Sequence, residues 1–194
     1  MAATTEQDQE NNKSEQPSLK ELQQEFFVFI QDSDDYSVTT DDINKALEPF
    51  NGDLNFTRED DKNTPFSWVT YYAEKLEEGT AGKTLERLAE LNPKALTTKN
   101  KAGLSPIWLA FDYQEEDQIL HVLDLLIKHN KATDAINEVN DDNTLLDSVA
   151  GSEDYATLED KLKQHGALTY EELQAQEEAA AADKASESEE AASA

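Results

Sequence analysis

Cysteine is absent from this 194-residue chain. That excludes disulfides, thiol nucleophiles and thiolate metal sites, and it fits a reducing compartment. Basic residues are few, with 16 Lys+Arg facing 43 Asp+Glu for a formal charge of −27. Such acidity argues against a nucleic-acid backbone or an anionic membrane as a direct partner. Long apolar runs are missing as well. None approaches the ~18 residues of a membrane span, and Met1–Leu19 is too polar for a signal peptide. Apolar residues make up only 37% of the chain, which predicts one folded body with polar tails.

The tails are marked by composition. Residues 1–17 hold Gln, Glu, Asn, Ser and Thr with no aliphatic side chain larger than Ala after Met1, and read as a disordered N-terminal tail. Residues 171–194 form an acidic low-complexity tail of eight acids, nine Ala and the single base Lys184. Ala and Glu favour helix, so its start is expected to extend a helix before fraying. The body, 18–170, keeps 31 acids against 14 bases. Its net −17 makes acidity a property of the folded part too.

Within the body a pattern recurs. Asp60-Asp61-Lys62-Asn63-Thr64-Pro65-Phe66, Lys101-Ala102-Gly103-Leu104-Ser105-Pro106-Ile107 and Asp141-Asp142-Asn143-Thr144-Leu145-Leu146 each set a polar turn before a hydroxyl helix start. The hydroxyl caps free N–H groups, and Pro next to it sits where its missing N–H costs nothing. Apolar helices are predicted over Phe66–Leu76, Ile107–Tyr113 and Leu145–Ala150. Second helices follow over Thr84–Leu91 (Leu85, Leu88 and Leu91 on one face), Gln118–His129 and Tyr155–His165 (Leu158, Leu162). Extended segments at Leu96-Thr97, Ala135-Ile136-Asn137 and Gly166-Ala167-Leu168 lead to the next turn.

The anchors Thr64, Ser105 and Thr144 lie 41 and 39 residues apart. A turn, two antiparallel helices and a return segment at this spacing resemble the ankyrin repeat, whose own period is about 33. Leu126–Ala132 and Lys161–Ala167 look like that family's helix-to-hairpin joint, and Leu54-Asn55 like its hairpin entry. The resemblance implies an all-α ankyrin-repeat solenoid of helix-turn-helix units with short extended hairpin segments. It has about three repeats over 52–170. A degenerate N-terminal helical unit at 18–51, from Leu19–Ile30 and Asp41–Leu47, caps its end. All three units lack the family's His, whose hydrogen bonds tie adjacent loops. Extra length is expected at Glu77–Lys83 and around the second unit's joint.

Motifs that look chemical do not hold together. Gly82-Lys83-Thr84 echoes the end of a phosphate-binding loop, but Glu77 stands where the first Gly is required. Asp32–Ile43 looks like an EF-hand loop, yet either register loses the turn Gly and a principal ligand. It reads as a solvated acidic loop with Thr40 capping the next helix. His121, His129 and His165 share no carboxylate constellation, so no metal, cofactor or enzymatic role is expected.

By resemblance, a partner would meet the turn tips Asp60, Asp61 and Asn63, then Lys101 and Leu104, then Asn140, Asp141 and Asn143. It would also meet the exposed concave positions Tyr71, Tyr72, Asp112 and Tyr113, with Glu115, Glu116 and Asp117 continuing the edge. Tyr brings contact area and a ring face for cations, while the acids steer a cationic partner. Trp68 and Trp108 read as core. The sequence thus points to a monomeric, non-enzymatic protein–protein interaction module in the cytoplasm. At 21.7 kDa it could also diffuse into the nucleus. A sharper form is an escort or chaperone for a basic protein such as a ribosomal protein or histone. The alternatives are an adaptor in a larger complex, a bacterial effector, for which Glu171–Glu190 resembles a Glu-rich export signal, and, least favoured, an enzyme.

Overall fold

In a computed structural model describing residues 16–192, the first helix starts where the sequence supplies a complete cap. The Ser18 hydroxyl accepts from the Glu21 N–H, and the Glu21 carboxylate reaches back to Ser18. Helix α1 then runs Leu19–Asp32. Helix α2, Thr40–Leu47, is capped by Thr39 through the same reciprocal device with Asp42, so Thr39 takes the capping role assigned above to Thr40. Thr39 wins because an acid stands three positions after it.

Three helix pairs follow. The first is α3 (Pro65–Tyr71) and α4 (Thr80–Leu91); the second is α5 (Pro106–Tyr113) and α6 (Glu116–Lys128). The third is α8 (Leu145–Val149) and α9 (Ala156–Gln164), with the one-turn α7 (Ala132–Ile136) between the second and third pairs. Thr64 and Thr144 cap α3 and α8 by accepting from the N–H three residues on. Ser105 occupies the same position before α5 without making that bond.

Helix α3 packs between α1 and α5, α4 between α2 and α6, and α6 against α9, so like members lie side by side through the second pair and the second members continue to the third. The faces that meet are those the periodicity marks. Leu85 and Leu88 of α4, Ile119, Val122, Leu123 and Leu126 of α6, and Leu158 and Leu162 of α9 are buried. Leu91 departs from its stripe and is exposed at the last turn of α4. Trp68 and Trp108 are both core, Trp68 donating its indole N–H to the Phe27 carbonyl at 2.9 Å. Edge-to-face contacts among Phe26, Phe27 and Phe56, continued by Phe27 on Trp68, seal the N-terminal pair to α3.

No β-strand forms among the described residues, and two isolated bridges, Val38 with Leu76 and Asn140 with Asn143, are the extended pairings present. This corrects two of the expected hairpin segments. Leu96-Thr97 closes a 3₁₀ helix over Pro93–Thr97, and Ala135-Ile136 belongs to α7. Pro93 presets φ for a helical turn immediately after the end of α4, so the chain turns again before it can extend. Of the three expected segments, Gly166-Ala167-Leu168 alone is non-helical throughout. The extra length at Glu77–Lys83 shrinks to a short turn, because α4 already begins at Thr80. Residues 171–192 are helical within α10 (Tyr170–Ala192). A Thr169–Glu172 capping box starts it, and positions 174–182 are exposed. The disorder expected for 1–15 concerns residues outside those described.

Candidate functional site

Trp68 and Tyr71 lie about one turn apart on α3, and Tyr72 is the residue that caps its C-terminal end. Trp68 and Tyr72 meet with ring centroids 4.7 Å apart, Tyr71 and Tyr72 at 4.6 Å. Tyr113, at the end of α5, closes on Tyr71 at 4.4 Å, and the Gln114 amide donates to the Tyr71 carbonyl. The result is a continuous aromatic ledge from Trp68 to Tyr113. Burial pushes the Tyr71 hydroxyl above its ordinary pKa, helped by Tyr113, Tyr72 and Glu74 nearby, and burial likewise raises Tyr72. Both therefore stay neutral phenols across the physiological range.

A groove of about 270 Å³ runs along this ledge, lined among others by Arg58, Trp68, Tyr71, Tyr72, Asn100 and Tyr113. Arg58 lies over the Trp68 ring, 4.6 Å from its centroid. Its guanidinium also bridges to Asp61 at 2.7 Å and Asp60 at 3.4 Å. Two acids of the first turn tip thus share one internal cation, which leaves the tip with a net negative charge, an arrangement that a reading of the tips alone misses.

The tips are tied together without the missing His. The Lys101 N–H donates to the Asp61 carbonyl at 2.6 Å, and the Asn100 amide donates to the Asn63 side-chain oxygen at 3.2 Å. Asn100 also accepts from the Ala102 and Leu104 N–H groups, shaping its own turn. Lys99 pairs with Glu138 at 2.7 Å to join the second and third turns. Asn140 and Asn143 exchange both backbone hydrogen bonds across the third tip, with Asp141 exposed at its apex.

The candidate residues therefore separate into two sets. Tyr71, Tyr72, Tyr113 and Glu115 line the grooves along the ledge, Asp60, Lys101, Asn140 and Asp141 lie at the tips, and Asp112 lines neither groove. Asn63 is buried in the loop tie, and Asp61 is held by Arg58 and by the Asn63 N–H. Glu116 turns away from the ledge, its carboxylate accepting from the Leu158 N–H at 2.9 Å where α9 begins. Asp112 is exposed, yet partial desolvation lifts its carboxyl above the ordinary value. Arg58, Asn100 and Glu74 were not singled out by the sequence reading. Asn100 and Glu74 act through neighbours in other turns, and Arg58, though paired with Asp60 and Asp61 close by in sequence, meets Trp68 only across the folded turn.

The suspected chemical motifs find structural uses. Gly82 lies inside α4, its carbonyl 3.1 Å from a His121 ring nitrogen, and Thr84 is buried. No cradle for phosphate exists in a closed helix. In the acidic loop, Asp35 pairs with Lys75 at 2.7 Å and the Tyr36 N–H donates to the Glu74 carbonyl. Among the described residues no group of three or more His, Asp or Glu converges as a metal site, and no helix is long and apolar enough to cross a membrane. Comparison with protein-family models, with curated proteins and with solved structures yields no match to this chain.

Proposed function

We propose that this chain is a non-catalytic protein-binding module, an ankyrin-like stack capped by its N-terminal helix pair, that holds a basic client protein. The observation that carries the reading is the aromatic ledge flanked by carboxylates. Trp68, Tyr71, Tyr72 and Tyr113 are bordered by Glu74 and Glu115, with the exposed Asp112 next to Tyr113 in the chain, while Arg58, the cation lining the groove, is already engaged by Asp60 and Asp61. Rings offer contact area and a face for cations, and the surrounding charge of a −27 chain raises the encounter rate with a cationic partner. The likeness to ankyrin repeats rests on the recurring capped turns and on like helices packing side by side; the cytoplasmic, monomeric setting rests on the sequence.

The test uses purified core histones and total ribosomal proteins as two defined basic mixtures. Immobilised protein should retain a basic species at about 50 mM salt and release it at about 500 mM. Replacing Glu74, Asp112 and Glu115 by Lys should abolish retention. Those positions change the surface without cutting the internal bonds of Asp61 or Glu116. No retention of any basic protein at low salt would overturn the reading. Retention that persists at high salt and fails only with Tyr113→Ala would favour an adaptor using packed rings.

A further inference from the structure

We propose that the groove between Tyr36 and Tyr113 receives an arginine side chain of the basic client, an inference that rests on the function proposed above and names its point of recognition. Tyr36 and Tyr113 are the two exposed aromatic residues among those described, 69% and 54% accessible. Both line one groove of about 360 Å³, with Glu74, Gln114, Glu115 and Gln118 completing its walls. Large exposed rings facing a shared cleft are unusual on a surface that buries every other Phe and Trp at least partly.

The groove is built rather than incidental to a floppy loop. The Tyr36 N–H donates to the Glu74 carbonyl at 2.9 Å, and the Val38 N–H donates to Lys75 at 3.0 Å. Lys75 anchors the same loop through Asp35. Tyr113 is buttressed by Tyr71. Tyr36 holds φ at +56°, a region that bulky side chains seldom occupy.

Its chemistry selects a cation. Glu74 and Glu115 carry no ion pair among the described residues, and Lys75 is engaged elsewhere. Glu77 and Glu78 flank the far side of Tyr36. Gln118 contributes a side-chain oxygen shielded from solvent and without a hydrogen-bond partner. A planar guanidinium stacks on rings while donating to several oxygens, which an ammonium does less well. The molecule carries an internal counterpart: Arg58 lies on Trp68 between two carboxylates. In the Tyr36 groove the rings and carboxylates are present, and the arginine would come from the client.

Fluorescence anisotropy with labelled nona-arginine, nona-lysine and nona-citrulline peptides tests this on the full chain at low salt. Tyr36→Asn preserves the left-handed backbone that asparagine tolerates, and Glu74→Gln/Glu115→Gln removes two charges from the groove. Glu177→Gln/Glu178→Gln removes the same charge from the exposed face of α10. Each groove variant should weaken nona-arginine binding about tenfold and the α10 pair less than about twofold. Nona-lysine should bind more weakly and nona-citrulline not measurably. Far-UV circular dichroism checks that each variant is folded. Equal losses from groove and α10 variants, equal affinity for arginine and lysine, or full affinity in Tyr36→Asn would each overturn the groove. The basic-client reading would survive any of these if histones or ribosomal proteins are still retained, and would fall only if none is.

Discussion

Replacing Asp147 by Asn isolates the charge of one carboxylate at the junction of α8 and α10. Its Oδ2 accepts from the Thr144 N–H at 3.0 Å and from the Tyr170 N–H at 2.8 Å. The Thr144 hydroxyl lies 2.9 Å away, but its single proton is also within reach of the Leu168 carbonyl at 2.8 Å. Only the two backbone donors are therefore certain. Burial pushes this carboxyl up, yet the hydrogen bonds from Thr144 and Tyr170 outweigh it and hold the group below its ordinary value. Asn keeps the shape and an acceptor oxygen while turning two charge-assisted bonds into neutral ones. Charge roughly doubles such a bond, so the loss is about 1 kcal/mol each, or about 2 kcal/mol in all. For a chain of this size that lowers Tm by roughly 4–8 °C. The sign with pH follows from the lowered value. The stabilisation is complete above the unfolded-state value near pH 4 and is lost as pH falls through the folded-state value, so the two proteins should converge in acid. Thermal unfolding followed by circular dichroism from pH 7 downward measures this. A gap under about 1 °C at pH 7, or one unchanged at the lowest pH where both fold, would refute the reasoning.

Three further outcomes can be checked by denaturant unfolding. Gly82→Ala should stabilise by about 0.5–1 kcal/mol, since the added Cβ meets the His121 ring at an ordinary 3.5 Å and a helix interior favours Ala. A destabilised variant would show the contact to be too tight. Lys99→Ala should cost about 1–2 kcal/mol, because it strands Glu138, whose side chain is 8% exposed, and Lys99→Met with Glu138→Gln should recover most of that. Asn63→Ala should cost about 1–2 kcal/mol by leaving Asn100 without its cross-loop partner. It should also speed hydrogen exchange at the Lys101 amide, the neighbouring tie to Asp61; unchanged exchange would separate the two bonds.

What could be read from the chain was local chemistry. Thr64 before Pro65 and Thr144 before Leu145 announce helix starts because a capping hydroxyl acts over three residues. Trp68, among apolar neighbours, reads as core and is buried, whereas Tyr71 and Tyr72, read as exposed, are half-buried because their rings pack on Trp68 and Tyr113. Ser105 shows the limit of the same reasoning. It stands at a helix start, but its hydroxyl is buried and makes no capping bond. The return segments failed because a choice between extended and helical backbone over two or three residues is decided by the packing around them, not by their own side chains. The site failed where it depended on distance. Arg58 is known to sit on Trp68 only once the first turn has folded back over α3, and Glu74 meets Tyr36 only through a bridge between separate loops. Tyr36 lies inside a loop whose acids resemble a calcium site, and no local pattern sets its ring apart.

The bridge between Val38 and Leu76 has a consequence for how this chain comes apart. Arrays of paired helices unfold from whichever end has the weaker interface, since each pair touches only its neighbours. Here the loop after α1 is laced to the segment before α4 by three backbone hydrogen bonds, Tyr36 to Glu74, Val38 to Lys75 and Glu77 to Val38. The N-terminal pair therefore cannot peel away without exposing the connection inside the next one. The two should open as one cooperative unit, with their amides exchanging at a common rate. Fraying is directed to the other end, where the exposed helix α10 begins.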